Sequence, residues 1–312
     1  MNGKAQVNLV QNPSFEIYSL CPDYVDQLNR CTGWTSFGYS PDYFHPCYVS
    51  PGAGFQDVSV PNNWAGYQQP SSGIAYAGFG AYTMTSNYRE FVGQTLSSPL
   101  ILGAKYFCSF KVALAINPTQ SLVFATNKMG IKFSMVPYSG VNPAPLTNSA
   151  KVFSTAIVTD TVNWTTIFGS FIADSAYQYL MIGNFFDNSQ TDTLRITNTT
   201  FPPENYYYLD DICISSDSLL ALNYVYTDIN EINENISLNI FPNPTTSIFT
   251  VSTTGDRMKE IRIYNILGEL IYRSEIKSQN TTIDLNMQAK GIYFVKVTDL
   301  DKNETTQKLV IQ

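Results

Sequence analysis

The sequence is poor in charge. Of its 312 residues, Asp, Glu, Lys and Arg make up 14%, against roughly a quarter in an average soluble domain. Lys and Arg number 18 against 25 Asp and Glu, for a formal net charge of −7, and no basic run occurs. A chain with no basic stripe has little to neutralise a phosphate backbone, which argues against nucleic acid as a partner. No apolar stretch approaches the ~20 residues of a membrane-crossing helix, so no membrane span is expected. There is one histidine, His45, and five cysteines without a C-x-x-C pair. Zinc therefore lacks a ligand set. G-x-S-x-G, H-E-x-x-H and P-loop motifs are also missing. No catalytic residue is assigned, and His45, flanked by Pro46 and Cys47, reads as structural. A hydrolase built on a carboxylate pair stays open as the alternative, because carboxylate spacing cannot be read from strands.

What the chain has instead is aromatic and hydroxyl character. Hydrophobic residues make up 44%, with 21 Tyr and 19 Phe, and the polar share is carried by Asn, Thr and Ser. That composition suits β-structure. Hydrophobic periodicity is two nearly everywhere. It predicts strands at residues 7–10, 90–96, 105–115, 130–136, 152–158, 165–173, 179–182 and 207–215. From Glu16 to Arg89 runs a Gly-, Pro- and Tyr-rich stretch with little alternation, too long to be an idle loop and the expected seat of binding function. Cys21, Cys31 and Cys47 crowd this stretch, whereas Cys108 and Cys213 sit in strand-like runs. Cys21–Cys47 is the leading disulfide, formed in an oxidising compartment. Cys108–Cys213 is a second if their strands are neighbours; two buried free thiols are the alternative.

The chain divides by pattern. Residues 1–5 read as the remnant of a signal peptide or a flexible start, with Gly3 and Ala5 placed for a cut before Gln6. A first domain is expected over 6–215. Residues 216–237, with Asp217, Asp228, Glu231 and Glu234 facing no basic residue, read as an acidic linker; a short surface helix is the competing reading. Over 238–312, seven short β runs begin near residues 238, 247, 259, 269, 281, 291 and 305. Seven strands in so short a span predict a small immunoglobulin-like sandwich.

Four motifs in this last part carry a specific resemblance: Asn239-Ile240-Phe241-Pro242-Asn243-Pro244, Ile261-Arg262-Ile263-Tyr264-Asn265-Ile266-Leu267-Gly268, Gly291-Ile292-Tyr293-Phe294-Val295-Lys296-Val297 and Gln307-Lys308-Leu309-Val310-Ile311-Gln312. Their order and placement resemble the type A sorting domain of type IX secretion cargo in Bacteroidota. Physically, Pro242 and Pro244 fix the entry to a strand, Gly268 suits a turn with positive φ, and Gly291 precedes an aromatic-rich strand containing Tyr293. The resemblance implies a protein secreted or displayed at the cell surface after passing the periplasm. It also implies as partners the type IX translocon, an outer-membrane barrel shuttle and a surface sortase. The last strand, with Lys308, Leu309 and Val310, would offer the shuttle an edge.

In the first part, Asn8-Leu9-Val10-Gln11-Asn12-Pro13-Ser14-Phe15-Glu16 and Tyr208-Leu209-Asp210-Asp211-Ile212-Cys213-Ile214 together resemble the first and last strands of galactose-binding-like jelly rolls, several carbohydrate-binding modules among them. The stretch between Phe15 and Arg89 departs from a minimal module. The resemblance implies a structural Ca2+ joining the chain ends through Glu16 and Asp210 or Asp211, with one Asp inward and the other outward because side chains alternate along a strand. Sugar recognition needs aromatic faces beside amides and carboxylates. Trp64 and Tyr67 are the ligand candidates, while Trp34 and Trp164 read as core. Thr161, Ser175, Thr193 and Ser218 each follow Asp and precede an aliphatic or small residue, a pattern of O-glycosylation in the same bacteria; ordinary turn chemistry is the alternative. The expected whole is an all-β chain, a jelly-roll β-sandwich followed by a small seven-stranded immunoglobulin-like sandwich. Its expected function is that of an exported cargo whose non-catalytic first domain binds glycan or another surface component. A secreted hydrolase or a structural cargo without small ligand are the alternatives.

Overall fold

A computed structural model describes residues 7–50, 52, 57–199, 202–225, 238–253, 258–276, 278, 280–299 and 304–312. The expected signal-peptide remnant and residues 226–237 of the expected linker lie outside them. The chain forms two compact units, 1–227 and 228–312.

The first unit contains β1 (Trp34–Gly38), β2 (Asp42–Phe44), β3 (Tyr76–Thr83), β4 (Phe91–Thr95), β5 (Lys105–Ala115), β6 (Met129–Ser134), β7 (Val152–Phe153), β8 (Thr165–Ile172), β9 (Tyr179–Asn184) and β10 (Glu204–Ser215). They form two five-stranded antiparallel sheets, ordered β1-β4-β9-β6-β7 and β8-β5-β10-β3-β2, which face each other as a jelly-roll sandwich. Phe79, Phe110, Val112, Ile131, Leu180 and Leu209 fill the space between them. Burying about 25 cal/mol per Å² of apolar surface makes this core the main stabilising term.

The second sheet is covered on its other face too. Phe44, Tyr76, Ala113, Tyr206 and Tyr208 point away from the sandwich and pack beneath Val58, Ala65 and Trp64 of the Gly- and Tyr-rich stretch. Two-sided burial explains a strand that periodicity missed: Tyr-Ala-Gly-Phe-Gly-Ala-Tyr-Thr of β3 has no polar face to alternate with. The opposite error concerns residues 7–10, which form no strand. There the side chain of Asn8 stands in for a ladder, donating to the Ile212 carbonyl at 2.8 Å and accepting from the Ile214 N–H at 3.0 Å. The predicted strand at 152–158 shrinks to two residues. Where an acidic linker was expected to begin, a helix, α1 (Ser218–Leu222), is capped by Asp217, which accepts from the N–H groups of Leu219 and Leu220. Helix α1 packs on β5 and β10 with Ala221 buried.

A disulfide joins Cys21 to Cys47, with Cα atoms 5.7 Å apart across 26 residues. Cys31, Cys108 and Cys213 are free and buried. The Cys108–Cys213 disulfide is thus corrected, for a reason of register. Strands β5 and β10 are neighbours, but Ile214 lies opposite Cys108 and Ser109 opposite Cys213. Side chains one residue out of step point to opposite faces of a sheet.

The second unit contains β11 (Leu238–Phe241), β12 (Ile248–Thr253), β13 (Met258–Asn265), β14 (Leu270–Glu275), β15 (Asn280–Asp284), β16 (Gly291–Asp299) and β17 (Glu304–Ile311). Sheets β11-β12-β15 and β14-β13-β16-β17 make the seven-stranded sandwich expected from the turn spacing. Its core, including Ile261, Ile263, Val295, Val297 and Leu309, is its own.

The disulfide closes one end of the covering stretch. Replacing Cys21 and Cys47 together by Ser should cost about 3 kcal/mol on a loop-entropy basis. Urea unfolding of oxidised wild type against the double variant checks this; equal midpoints would show that the bridge constrains nothing.

Candidate functional site

The two motifs of the first resemblance meet in space. Leu9 N–H donates to the Ile214 carbonyl at 2.8 Å and Ile212 N–H to the Pro13 carbonyl at 3.0 Å. Three carboxylates gather beside them, and each grips the segment 71–75. Asp210 Oδ2 accepts from the N–H groups of Ser71 at 2.8 Å and Ser72 at 3.3 Å. Asp211 accepts from the hydroxyls of Ser14 and Ser71 at 2.7 Å and of Ser72 at 2.5 Å. Glu16 accepts from the N–H groups of Ile74 at 3.0 Å and Ala75 at 3.1 Å. Gly73 permits this approach, because a Cβ there would fall 2.1 Å from the Glu16 carboxylate. The expected alternation of Asp210 and Asp211 fails. Both are buried, since Asp211 takes φ 49° and the register with β5 shifts between Asp210 and Cys213.

Calcium takes six to eight oxygen ligands. Among the described residues no group of three His, Cys, Asp or Glu side chains is placed to hold a metal. The donors facing these carboxylates are N–H and O–H groups, with the Lys111 ammonium 2.8 Å from Asp211 Oδ2 and 2.9 Å from Ser71 Oγ. Arranged this way, Glu16, Asp210 and Asp211 do not fit a shared calcium. Burial pushes Asp211 upward, but the Lys111 ammonium and the serine hydroxyls outweigh it and hold the carboxyl low. Burial and the neighbouring Asp211 charge push Asp210 up. The Lys111 ammonium is thus paired with Asp211, while Asp210 and Glu16 are held by backbone N–H groups.

A separate cavity of about 400 Å³ opens between the covering stretch and the second sheet, within the range of roughly 300–1,000 Å³ for ligand pockets. Trp64, Tyr88, Asn205 and Tyr206 line it together with Asp42 and Glu90. Strands β2, β3 and β10 place these groups. Asp42 lies opposite Gly78. Glu90 is bound to Gly80 twice, by its own N–H to the Gly80 carbonyl at 2.9 Å and by its Oε2 accepting from Gly80 N–H at 2.6 Å. The two residues thus engage β3 two positions apart. The glycines make room: a Cβ on Gly78 would meet the Tyr206 ring at 2.4 Å.

Each carboxylate is held by fixed donors. Asp42 accepts from the Tyr206 hydroxyl at 2.5 Å and from Asp26 N–H at 2.7 Å. Glu90 Oε1 accepts from the hydroxyls of Tyr88 and Ser40, both at 3.0 Å. Burial, then the nearby Glu90, pushes Asp42 up to about 8; burial likewise raises Glu90. Trp64 meets the Tyr206 ring edge-on at a centroid distance of 5.0 Å. Among the described residues that line the cavity, two buried polar atoms have no partner: Asn205 Nδ2, on a side chain 2% exposed, and Trp64 Nε1. Asn205 Oδ1 is already used by Ala81 N–H at 3.2 Å.

Of the two ligand candidates, the structure brings Trp64 to the cavity and leaves Tyr67 outside its lining. Tyr67 is exposed, its hydroxyl accepting from Gln69 Nε2 at 2.8 Å. Sequence reasoning missed Asp42, Glu90, Asn205 and Tyr206. The only signal was Glu90 itself, a carboxylate next to Arg89 that opens an apolar strand. The two side chains part: Arg89 donates to the Phe186 carbonyl at 3.1 Å and to Asn188 Oδ1 at 2.8 Å. His45 is buried against Tyr18 and Tyr43, its Nδ1 accepts from Cys47 N–H at 3.0 Å, and burial lowers it to about 4. Thr193 is exposed and Thr161, Ser175 and Ser218 are half-buried, so none of the four hydroxyls is closed to modification.

In the second unit the sorting motifs converge on the last strand. Asn243 Nδ2 donates to the Lys308 carbonyl at 2.7 Å, and Val310 N–H donates to Asn243 Oδ1 at 3.0 Å. Thr245 N–H bonds the Val310 carbonyl and Gln312 N–H the Thr245 carbonyl, both at 2.9 Å. The segment of Pro242 and Pro244 thus covers the edge of β17 at its C-terminal half, which corrects the expectation of an open edge there. Gly268 takes φ 80° in the β13–β14 turn. Gly291 begins β16, and Tyr293 is buried with its hydroxyl donating to the Ala289 carbonyl at 2.6 Å. Leu309 is buried, Val310 half-buried and Lys308 exposed.

Two outcomes follow from the electrostatics. Asp42, Glu90 and Asp210 are raised carboxyls, so the folded chain holds protons that the unfolded chain releases above pH ~4, and stability falls as pH rises toward 8. His45 acts oppositely, but only below pH ~6.5. Between pH 6.5 and 8, stability should decline, and Asp42→Asn should flatten the decline by up to about 1.4 kcal/mol per pH unit. Denaturant midpoints across that window check it; identical slopes would contradict it. The clasp, closed by Lys111, should leave melting unchanged by EDTA or added calcium, and a chelator-induced fall in Tm would show a metal there.

Comparison with known proteins bears on both units. Residues 239–312 match the family of the secretion system C-terminal sorting domain. An endo-acting ulvan lyase of Formosa agariphila is 32% identical over 74 residues, 23% of this chain and 14% of that protein. Ulvan lyase NLR42 of Nonlabens ulvanivorans is 32% identical over 77 residues, 24% of this chain and 14% of that protein. The chain thus spans about a seventh of the length of these relatives. Among solved structures, the CBM22-1–GH10 modules of Clostridium thermocellum xylanase 10B, complexed with xylohexaose, align at 12% identity and TM-score 0.32, over 69% of this chain and 29% of that one. The N-terminal cellulose-binding domain of Cellulomonas fimi β-1,4-glucanase C aligns at 12% identity and TM-score 0.28, over 59% and 89%. Among the described residues no helix is long and apolar enough to cross a membrane. Residues 239–312 are a type IX secretion sorting tail, and the chain that carries them is a cargo bound for the cell surface or the exterior.

Proposed function

We propose that the first unit is a non-catalytic glycan-binding module, which the tail delivers outside the cell. One observation carries this reading: the cavity joins the aromatic rings of Trp64, Tyr88 and Tyr206 to an unmatched donor, Asn205 Nδ2. Sugars present apolar CH faces to aromatic rings and hydroxyl acceptors to amides, which is the pairing such sites need. An unsatisfied buried donor costs about 1–3 kcal/mol, a cost that a bound hydroxyl would remove. The full chain on a glycan array should bind a defined set of oligosaccharides, and Trp64→Ala should weaken that binding at least tenfold with the circular dichroism spectrum unchanged. Absence of any bound glycan, or full binding by the variant, would overturn the reading.

A second reading rests on Asp42 and Glu90, two carboxyls with raised affinity for protons in one cavity, as a general acid and base would be. If the array ligands are cut by wild type but not by Asp42→Asn or Glu90→Gln, the unit is an enzyme; intact ligands after prolonged incubation favour the binding module.

For the tail, the reading assigns an outer-membrane shuttle as the partner and a surface sortase as the cutting enzyme. Deleting Lys308–Gln312 removes the buried Leu309 and Ile311 and the grip of Asn243 on β17. The deleted protein should accumulate inside the cell, as read by fractionation. Surface display equal to wild type would contradict the role of this strand.

A further inference from the structure

Beyond its being a sugar pocket, the cavity has a charge character of its own. Asp26, Asp42, Glu90 and Glu204 all contribute to its lining, and no Lys, Arg or His among the described residues does. Asp42 is 2% exposed and Glu90 7% exposed, yet the groups holding them are hydroxyls and backbone N–H donors. Asp211, also buried, is by contrast matched by the Lys111 ammonium, whereas Asp210 is held, as Asp42 is, without a cation of its own. Two buried carboxyls in one cavity with no ammonium or guanidinium beside them are costly to ionise and hold their protons. A cation entering the cavity would favour their ionised form.

The unmatched donors narrow the class further. Asn205 Nδ2 and Trp64 Nε1 both need acceptors, which an ammonium lacks and a hydroxyl has. The cavity therefore asks for a ligand with a positively charged nitrogen and hydroxyl oxygens within one small body. Trp64 and Tyr88 add aromatic rings to the lining, a residue type to which an ammonium is drawn.

We infer that the ligand is an amino sugar with a free, charged amine, bound with its nitrogen toward Asp42 and Glu90 and its hydroxyls toward Asn205 and Trp64. The inference rests on the reading of this cavity as a sugar site. Anionic sugars would meet like charge, and N-acetylation would remove the feature that the carboxylates select. A lysine side chain brings the ammonium without the hydroxyls.

Calorimetric titration of the full chain tests it, with glucosamine oligomers, N-acetylglucosamine oligomers, cello-oligosaccharides, oligo-uronates and oligolysine as the probes. The expected result is at least tenfold tighter binding of glucosamine oligomers than of every other probe, weakening with added salt. Glu90→Gln should reduce that preference to about threefold or less. Because Glu90→Gln could disturb folding, the rim variant Glu204→Gln, at an exposed position, provides a second readout: a fall of about two- to threefold for the glucosamine oligomer alone. Equal affinity for the acetylated or neutral oligomers would overturn the inference and leave the glycan reading standing. Equal affinity for oligolysine would overturn it in favour of a peptide ligand. If no sugar binds, the glycan reading falls with it.

Discussion

The grip of Asp210 and Asp211 on Ser71 and Ser72 is the interaction on which the first unit's arrangement depends. These carboxylates lie on β10, the central strand of the second sheet, and the serines lie where the long covering stretch turns into β3. With Glu16 holding Ile74 and Ala75, the clasp ties the start of the chain, the last strand and the covering stretch at one point. A buried, hydrogen-bonded charge set of this kind is expensive to break, because removing one partner leaves another charge buried alone. The disulfide between Cys21 and Cys47 fixes the far end. Between the two anchors, Val58, Trp64 and Ala65 lie on the sheet face that Phe44, Tyr76, Tyr206 and Tyr208 present.

That covering turns an open sheet face into an enclosed cavity. Tyr206 and Gly80 line it from the sheet, and Trp64 from the covering stretch. The same packing dehydrates Asp42 and Glu90, so their electrostatic character is a product of the fold and not of the residues alone. The proposed recognition of sugar, and of an amine on it, follows from that one act of coverage.

How much of this was legible in the sequence depended on which faces were buried. In the second unit each strand has one wet face, and alternation such as Ile261-Arg262-Ile263 marked all seven strands to within a residue or two. In the first unit β5 was read to the residue, whereas β3, buried on both faces and rich in Gly and Ala, left no pattern. The meeting of Asn8–Glu16 with Tyr208–Ile214 was legible through resemblance, but the chemistry there was not. Lys111, about a hundred residues from either segment, decides that chemistry and carries no local signal. The pair of cysteines on β5 and β10 failed for a related reason: adjacency of strands could be guessed, but register and the shift at Asp211 could not. Trp64 was found because an aromatic beside amides is visible in sequence. Asp42 and Glu90 were not, since single carboxylates look like surface residues until a fold buries them.

The clasp can be examined amide by amide. Hydrogen exchange on the intact chain should show the N–H groups of Ser71, Ile74 and Ala75 exchanging as slowly as those in the middle of β10, with or without a chelator. Exchange at the rate of an exposed loop would mean that the carboxylates do not hold this segment, and the cavity built on it would lose its wall.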